Sequence, residues 1–557
     1  MSIIASIREK IRQEVKSSLF RAQKAGRIVF QEMPEFVVEV PRDKSHGDFA
    51  VNAAMLLTKE AKMAPRAIAQ IIVEFLRDED GWFEKVEVAG PGFINFFLNT
   101  SWVYGVLPMV IKQDDKYGYS DFGSGRKVQV EFVSANPTGL LHMGNARGAA
   151  LGDTLSNILE AAGYEVTREF YINDAGNQIE NFGKSLEARY LQLLGVDAPF
   201  PEEGYHGEDI IETVKNIAAE IKDKYLDLDP ALRREFLIKK ALEEKINSIK
   251  NDLANFGVEY DVWFSEQTLH DSGAISRTVE ELKEKGYIYE KGGALWFKST
   301  LFGDEKDEVV VRSNGVPTYF AADIAYHKNK FERGFDRVID IWGADHHGHV
   351  SRMKGAMKAL GYNPDNLQVI LMQLVRLYRG GEIVRMSKRS GQYITLSELV
   401  EEVGKDAARY YFVMRSPDSH LDFDLDLAKE ESAENPVYYV QYAHARINSI
   451  LKAFAGQMPG VDEVNFNLLT EPYEIELIRK IADLPEEITG AAVNMEPHRM
   501  TRYAHELASL FHSFYNSCRV LTDDEELKKA RLLLVDAVRI TLRNVLGLIG
   551  VSAPVRM

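Results

Sequence analysis

Two short stretches, about 240 residues apart, carry residue types that could handle a polyphosphate. The first, SANPTGLLHMGNARGAALGD (Ser134–Asp153), sets a proline, glycines, a histidine and an asparagine between two patterned runs. Ahead of it, Val128, Val130, Phe132 and Val133 form a β-prone run; behind it, Ala146, Ala149, Ala150, Leu155, Ile158, Leu159 and Ala162 recur at helical spacing. A strand, a Gly/Pro turn and a helix start bring backbone N–H groups and the positive end of a helix dipole to one point, which suits phosphate. The same residues also suit an ordinary tight βα connection. The second stretch, GGEIVRMSKRSGQYITLSEL (380–399), holds Arg385, Met386, Ser387, Lys388 and Arg389 in a basic loop flanked by glycines. Alone it reads as a solvated charge run. Paired with the Gly/His turn, it suggests a triphosphate held between two ends of one sheet.

The elements that must position these stretches follow from pattern. A length of 557 residues implies three or four domains and a large core. Residues 1–112 read as an α+β unit, with strand-like VVEV (37–40) and KVEVAGPGFINFFL (85–98). A Gly-, Asp- and Tyr-rich linker (112–127) leads into a unit spanning 113–400. There, Val/Ile-rich strands such as VIDIWG (338–343) and VILMQLV (369–375) alternate with helices, as in a parallel α/β sheet. Charged helices from about 185 to 260 look like an insertion, and 401–557 reads as nearly all helical. The expected fold class is therefore multidomain α/β, with a Rossmann-like parallel-sheet unit between an α+β N-terminal domain and an all-α C-terminal domain.

Composition narrows the function classes. No apolar run is long enough to span a bilayer, and the N-terminal segment mixes charge into an amphipathic helix rather than a signal peptide. Cys518 is the only cysteine, so no disulfide framework or cysteine-rich zinc site exists, and a cytoplasmic location is expected. The formal charge of −17 argues weakly against nucleic acid. Its distribution permits RNA: residues 1–30 carry seven basic and two acidic side chains, while acid concentrates between Glu202 and Glu259.

HMGN (142–145) and RMSKR (385–389) resemble the two signatures of class I aminoacyl-tRNA synthetases. VEFVSANPTGLLHMGNARGAALGD, DAARYYFVMRSPD and VQYAHARINSIL extend the likeness to the arginyl-tRNA synthetase family over nearly the whole chain. The resemblance implies an arginine–tRNA ligase. Arginine and ATP (with Mg²⁺) would form arginyl-adenylate, and the aminoacyl group would pass to the 3′ end of tRNA-Arg, releasing AMP and pyrophosphate. It implies catalytic roles for His142, Asn145, Arg385 and Lys388, with Asn145 and Arg385 standing where the family usually has histidine and lysine. It places ATP near Gly139, Gly144, Met386 and Ser387. It also implies that arginine is activated only with tRNA bound. The chain is expected to act as a monomer. A catalytically inactive tRNA-binding paralogue is the alternative, which the intact set of site residues disfavours.

The same resemblance maps the arginine pocket onto Glu131, Asn136, Glu266, Tyr319, Asp323 and His347, with Asp323 and Glu266 as guanidinium partners. Buried acceptors left unpaired by lysine or citrulline would reject them by roughly 10⁴-fold or more, so no editing domain is expected. GADHHGHVSR (343–352) is open to two readings. It could be a metal cluster, disfavoured because adjacent histidines on an extended segment point apart. Or Gly343 and Asp345 could border the ATP ribose at the sheet's carboxyl edge. No structural zinc is expected. Tyr438, Tyr442 and Arg446 form a stripe apart from Val437, Val440, Ile447, Leu451 and Phe454; they could be core or could stack on anticodon bases. Phe93 and Asn95 match family positions near the tRNA D-loop, or belong simply to a strand.

Overall fold

The computed structural model describes residues 3–41, 43–79, 81–384 and 394–557. The helix Ile3–Lys24 buries Ile4, Ile7, Ile11, Val15 and Leu19 at helical spacing and turns its basic residues outward. It packs near an antiparallel sheet of β1 (Val38–Glu39), β2 (Phe49–Val51), β3 (Phe83–Ala89) and β4 (Phe93–Leu98), in the order β1-β2-β4-β3.

The central unit begins with β5 (Lys127–Glu131). The signature helix Met143–Ala161 carries the chain to β6 (Glu165–Ile172), and a three-helix insertion carries it on to β7 (Val262–Ser265). The insertion starts at Asn177, earlier than charge alone suggested. Its first helix turns Phe182, Leu186 and Tyr190 into a separate small core with Val214 and Leu237. A small antiparallel sheet follows, made of β8 (Ile288–Lys291), β9 (Ala294–Phe297) and β10 (Glu308–Val311). Then β11 (Arg337–Gly343) and β12 (Leu367–Met372) complete the parallel sheet, in the order β12-β11-β5-β6-β7. The chain thus winds from β5 to one side and returns to lay β11 on the other. That reversal opens a crevice between β5 and β11 beyond their carboxyl ends, where open α/β sheets bind ligands.

Past the sheet come β13 (Val375–Arg379), β14 (Glu382–Ile383) and β15 (Leu421–Asp424), with β13 and β15 parallel. This little sheet draws strands from both sides of residue 400, where sequence pattern alone suggested a change of unit. The rest is helical, from Pro436–Ala453 to Glu525–Ile549. One buried guanidinium ties the parts together. Arg409 donates to the carbonyls of Ile549 (2.8 Å), Gly257 (3.1 Å) and Phe256 (3.2 Å) and pairs with Asp153 of the signature helix.

The signature helix lies so close to the sheet that a Cβ on Gly152 would fall 2.1 Å from the Phe132 ring. At Gly148, one turn earlier, the nearest atom would be 3.7 Å away. Gly152→Ala should therefore destabilise the protein by about 1–3 kcal/mol through overpacking. Gly148→Ala should be neutral or stabilising by up to about 1 kcal/mol from helix propensity. Thermal unfolding of both variants checks the contrast.

Candidate active site

Strand β5 stops at Glu131, short of the expected run to Val133, because the chain bends sharply there. Val133 and Ser134 take φ values of 71° and 40°, a left-handed conformation costly for a β-branched residue. The bend delivers the Ser134 hydroxyl to Glu131 Oε1 (2.7 Å), and its oxygen accepts from the Tyr171 backbone N–H (3.1 Å). Asn136 then stands exposed, and the Pro137–Gly139 turn leads to the signature helix.

His142 is that helix's N-cap. Its Nδ1 accepts from the Gly144 N–H (3.1 Å), and Asn145 Oδ1 accepts from the His142 N–H (3.1 Å), closing a reciprocal capping box. With Nδ1 engaged as an acceptor, the neutral ring carries its proton on Nε2. Asparagine at 145 serves the box with its carbonyl oxygen. The strand-like bridge His142↔Thr395, with Leu396 N–H donating to Leu141 O at 2.9 Å, draws the far flank of the 380–399 stretch onto this turn. Arg385, Met386, Ser387 and Lys388 themselves lie outside the described residues.

Beneath the turn, three carboxylates sit abreast on adjacent strands: Asp340 on β11 pairs in register with Glu131 on β5, which pairs with Glu169 on β6. All are buried, and the helix Tyr319–Glu332 covers them. Lys330, fully buried, donates to Glu131 Oε2 (2.5 Å) and Asp340 Oδ1 (2.7 Å). Arg333 clamps Glu169 through two hydrogen bonds of 2.6 and 2.9 Å, and the Tyr326 hydroxyl donates to the same carboxylate at 2.6 Å. His327 bridges Asp340 Oδ2 (2.9 Å) and the Asp323 carbonyl (2.8 Å). Although burial opposes ionisation, Lys330 and His327 hold the Asp340 carboxyl down at about 2. Burial outweighs Lys330 at Glu131 and pushes that carboxyl up. Nothing in sequence spacing announced Lys330, His327 or Arg333; one acid in each of three apolar strands was the available signal.

One turn up the same helix, the balance changes. Asp323 is buried, with Tyr319 exposed at the mouth beside it. Glu266, at the start of the helix Gln267–Asp271, is also buried, and its Oε2 has no hydrogen-bond partner. The Tyr171 hydroxyl faces both carboxylates. Burial, with the Asp323 charge adding to it, pushes the Glu266 carboxyl up, and Asp323 pushes the Tyr319 phenol up. Among the described residues, no lysine or arginine pairs with either acid. Each meets one histidine instead: Glu266 Oε1 lies 3.4 Å from His270 Nε2, and Asp323 Oδ2 lies 2.9 Å from His349 Nε2. Two buried acids with the Tyr171 and Tyr319 phenols beside them suit an organic cation with several donors.

The segment 344–349 is helical, a 3₁₀ turn running into the helix His347–Leu360, and not extended as the sequence suggested. His347 therefore stands exposed at the first helical position, while His349, two residues on, reaches Asp323. Asp345 is exposed beside Gly343 at the end of β11. No group of three metal-ligating side chains occurs among the described residues.

Farther off, Tyr438 and Tyr442 lie nearly parallel (centroids 6.1 Å, 8°), and the Arg446 guanidinium stacks over Tyr442 and Tyr515. Tyr442, Arg446 and Tyr515 border a cavity of about 790 Å³ that Arg519, Arg556 and Met557 also line. Val437, Val440 and Ile447 turn into the core. In the N-terminal sheet, Phe93 is half-buried and Asn95 is buried between β2 and β3.

This architecture matches known proteins along its whole length. Residues 5–98 match the arginyl tRNA synthetase N terminal domain, 106–450 the catalytic domain of class I (R) tRNA synthetases, and 440–557 the DALR anticodon binding domain. The chain belongs to the arginyl-tRNA synthetase family. It is 64% identical over 560 residues to the arginine–tRNA ligase of Moorella thermoacetica, and 65% identical over 564 residues to that of Heliobacterium modesticaldum. Both alignments cover 100% of each chain. Thermus thermophilus arginyl-tRNA synthetase shares the fold at TM-score 0.72 and 23% identity, covering 99% of this chain and 100% of that one.

Replacing Lys330 with methionine would leave Glu131 and Asp340 facing each other without a cation. We expect a loss of about 3–5 kcal/mol, read as a large fall in midpoint on urea unfolding. Lys240→Met, on an exposed pair with Glu220, should change the midpoint little.

Proposed function

We infer that this chain is an arginine–tRNA ligase that joins L-arginine to tRNA-Arg at the expense of ATP, and that the crevice between β5 and β11 is where it does so. The observation that carries the substrate is the pair of buried acids, Glu266 and Asp323, lacking any cationic partner among the described residues. A planar guanidinium supplies five N–H donors in a fork that suits two carboxylates and the Tyr171 and Tyr319 hydroxyls. Glu131 and Asn136 lie nearer the substrate's α-amino end, where Ser134 and Lys330 hold Glu131 in place.

In the first step a carboxylate oxygen of arginine attacks the α-phosphorus of ATP, and pyrophosphate leaves. Charge gathers on phosphate oxygens, so placed donors do most of the work. His142 offers Nε2–H from the helix N-terminus, and Asn145, its oxygen held in the capping box, offers its amide N–H groups. Gly139 and Gly144 let the nucleotide approach the turn, and Gly343 and Asp345 border its ribose. Lys388 and Arg385 take the leaving pyrophosphate, with Met386 and Ser387 in the same loop, and Mg²⁺ travels with ATP as part of the substrate. In the second step the 2′-hydroxyl of the terminal adenosine attacks the adenylate carbonyl, and AMP leaves.

Tyr438, Tyr442 and Arg446 form the anticodon contact, supported by their parallel rings and the arginine-rich cavity beside them. Phe93 and the neighbouring strand meet the D-loop, Asn95 contributing through the sheet's shape because it is buried. Among the described residues no helix is long and apolar enough to cross a membrane, in keeping with a role in cytoplasmic translation. Nothing in the comparisons favours a catalytically inactive tRNA-binding paralogue.

ATP–pyrophosphate exchange with each of the twenty amino acids, with and without tRNA-Arg, tests this function. We expect exchange with arginine alone, dependent on tRNA. Exchange with another amino acid, or none at all, would contradict it. Asp323→Asn should lower kcat/KM for arginine by at least about 100-fold. Because a cation favours the ionised form of Glu266, whose carboxyl burial pushes up, arginine affinity is full above that raised value. It falls as pH drops through it. The KM for arginine should therefore begin to rise at a pH above the ordinary carboxylate range, with the KM for ATP unaffected. Tyr442→Ala should raise the KM for tRNA by about 5- to 100-fold and leave arginine KM unchanged.

A further inference from the structure

We propose that His349 is a positioning residue for guanidinium recognition: donating from Nε2, it fixes the Asp323 carboxylate in one rotamer without locking it into the permanent ion pair a lysine or arginine would make. The proposal rests on the arginine reading of the pocket and adds to it a residue that neither the signatures nor the expected pocket set included. His349 is the third residue of the helix His347–Leu360, which starts just past the carboxyl end of β11, and its Nε2 sits 2.9 Å from Asp323 Oδ2. The ring is held from several sides. Trp342 lies 5.5 Å away, Phe320 5.7 Å edge-on and Tyr319 6.4 Å, so the imidazole cannot swing without disturbing three aromatics.

The charged and titratable groups around it come from every packed element. Asp323 and Tyr319 face it from the helix opposite, and His346 lies 6.5 Å away on its own segment. Arg352, one turn on, is engaged with Asp304 (2.7 Å) and Glu308 (3.0 Å). The Tyr319 and Tyr171 hydroxyls also face Asp323, but among the described residues the ordinary-length side-chain contact to its carboxylate is His349, which unlike lysine or arginine carries no permanent charge. The tier below shows the alternative, where Lys330 meets Asp340 and Glu131 and consumes their charge in a permanent pair. A lysine or arginine at 349 would do the same to Asp323 and close the site to a cationic substrate. A histidine supplies direction without a permanent charge.

The test is steady-state exchange at saturating ATP and tRNA with three variants, each checked for wild-type thermal stability. His349→Ala removes the donor and should raise the KM for arginine by about 10- to 100-fold, with kcat and the KM for ATP within about twofold. His349→Gln, whose amide can donate to the same oxygen, should recover most of the loss. His349→Lys keeps a donor but adds a competing cation, so its arginine KM should exceed that of the alanine variant. A purely structural role for the ring would not produce that order. Unchanged arginine KM in the alanine variant, or lysine performing as well as glutamine, would overturn the proposal. Should His349→Ala unfold, the Gln and Lys variants decide it alone. An unaffected Asp323→Asn enzyme would instead overturn the pocket itself, a separate failure.

Discussion

Five buried carboxylates crowd the region where β5, β6 and β11 meet one covering helix, and the structure depends on how their charge is met. Isolated ions are too costly to bury, so each must find a cation, share a proton or wait for a ligand. The lower three, Asp340, Glu131 and Glu169, find Lys330 and Arg333 on a single helix face, with His327 and Tyr326 completing their hydrogen bonds. The upper two, Asp323 and Glu266, meet histidines and tyrosine hydroxyls but, among the described residues, no lysine or arginine. Satisfied acids below make a rigid floor. The acids above, without a lysine or arginine among the described residues, leave a charge that the proposed substrate would supply. Leaving that charge unmet costs stability in the free protein and lets a neutral or poorly shaped competitor be refused.

The floor also sets the geometry of the reaction. Glu131 is fixed by Lys330 on one side and Ser134 on the other, and Ser134 is where it is because Val133 and Ser134 accept a strained backbone. From that bend the chain runs straight into the Pro137–Gly139 turn and the His142 cap. In the proposed function, the two ends of this one short segment would grip the amino acid and the phosphate chain. The bridge from His142 to Thr395 brings the flank of the basic stretch to the same place, and Arg409 ties the signature helix to the end of the C-terminal helix. Local strain here holds the two reacting centres in register.

Much of this was legible in the sequence. The strand–turn–helix, the parallel sheet, the charged insertion and the helical C-terminal part all follow from periodicity and turn chemistry. The resemblance to arginyl-tRNA synthetases picked out Glu131, Glu266 and Asp323, which converge in the fold. Other features depend on tertiary arrangement and left no local mark. Lys330, His327 and Arg333 carried no signal in the sequence, since only strand register reveals the row of acids beneath them. His349 was hidden by an extended reading of GADHHGH; a 3₁₀ start rotates His347 outward and His349 inward. Asn95 matched a family position near the D-loop, but β4 is a central strand and Asn95 is buried within it.

On this reading a guanidinium charge completes the pocket. The most direct measurement is equilibrium binding of arginine and citrulline to the enzyme with tRNA-Arg present. Citrulline has nearly the same shape but carries a carbonyl oxygen in place of one guanidinium NH2, so it loses the charge and two N–H donors together. Citrulline should bind at least about 1,000-fold more weakly than arginine, and Asp323→Asn should narrow the gap mainly by weakening arginine. Citrulline binding within about tenfold of arginine would mean that shape, and not unbalanced buried charge, selects the substrate.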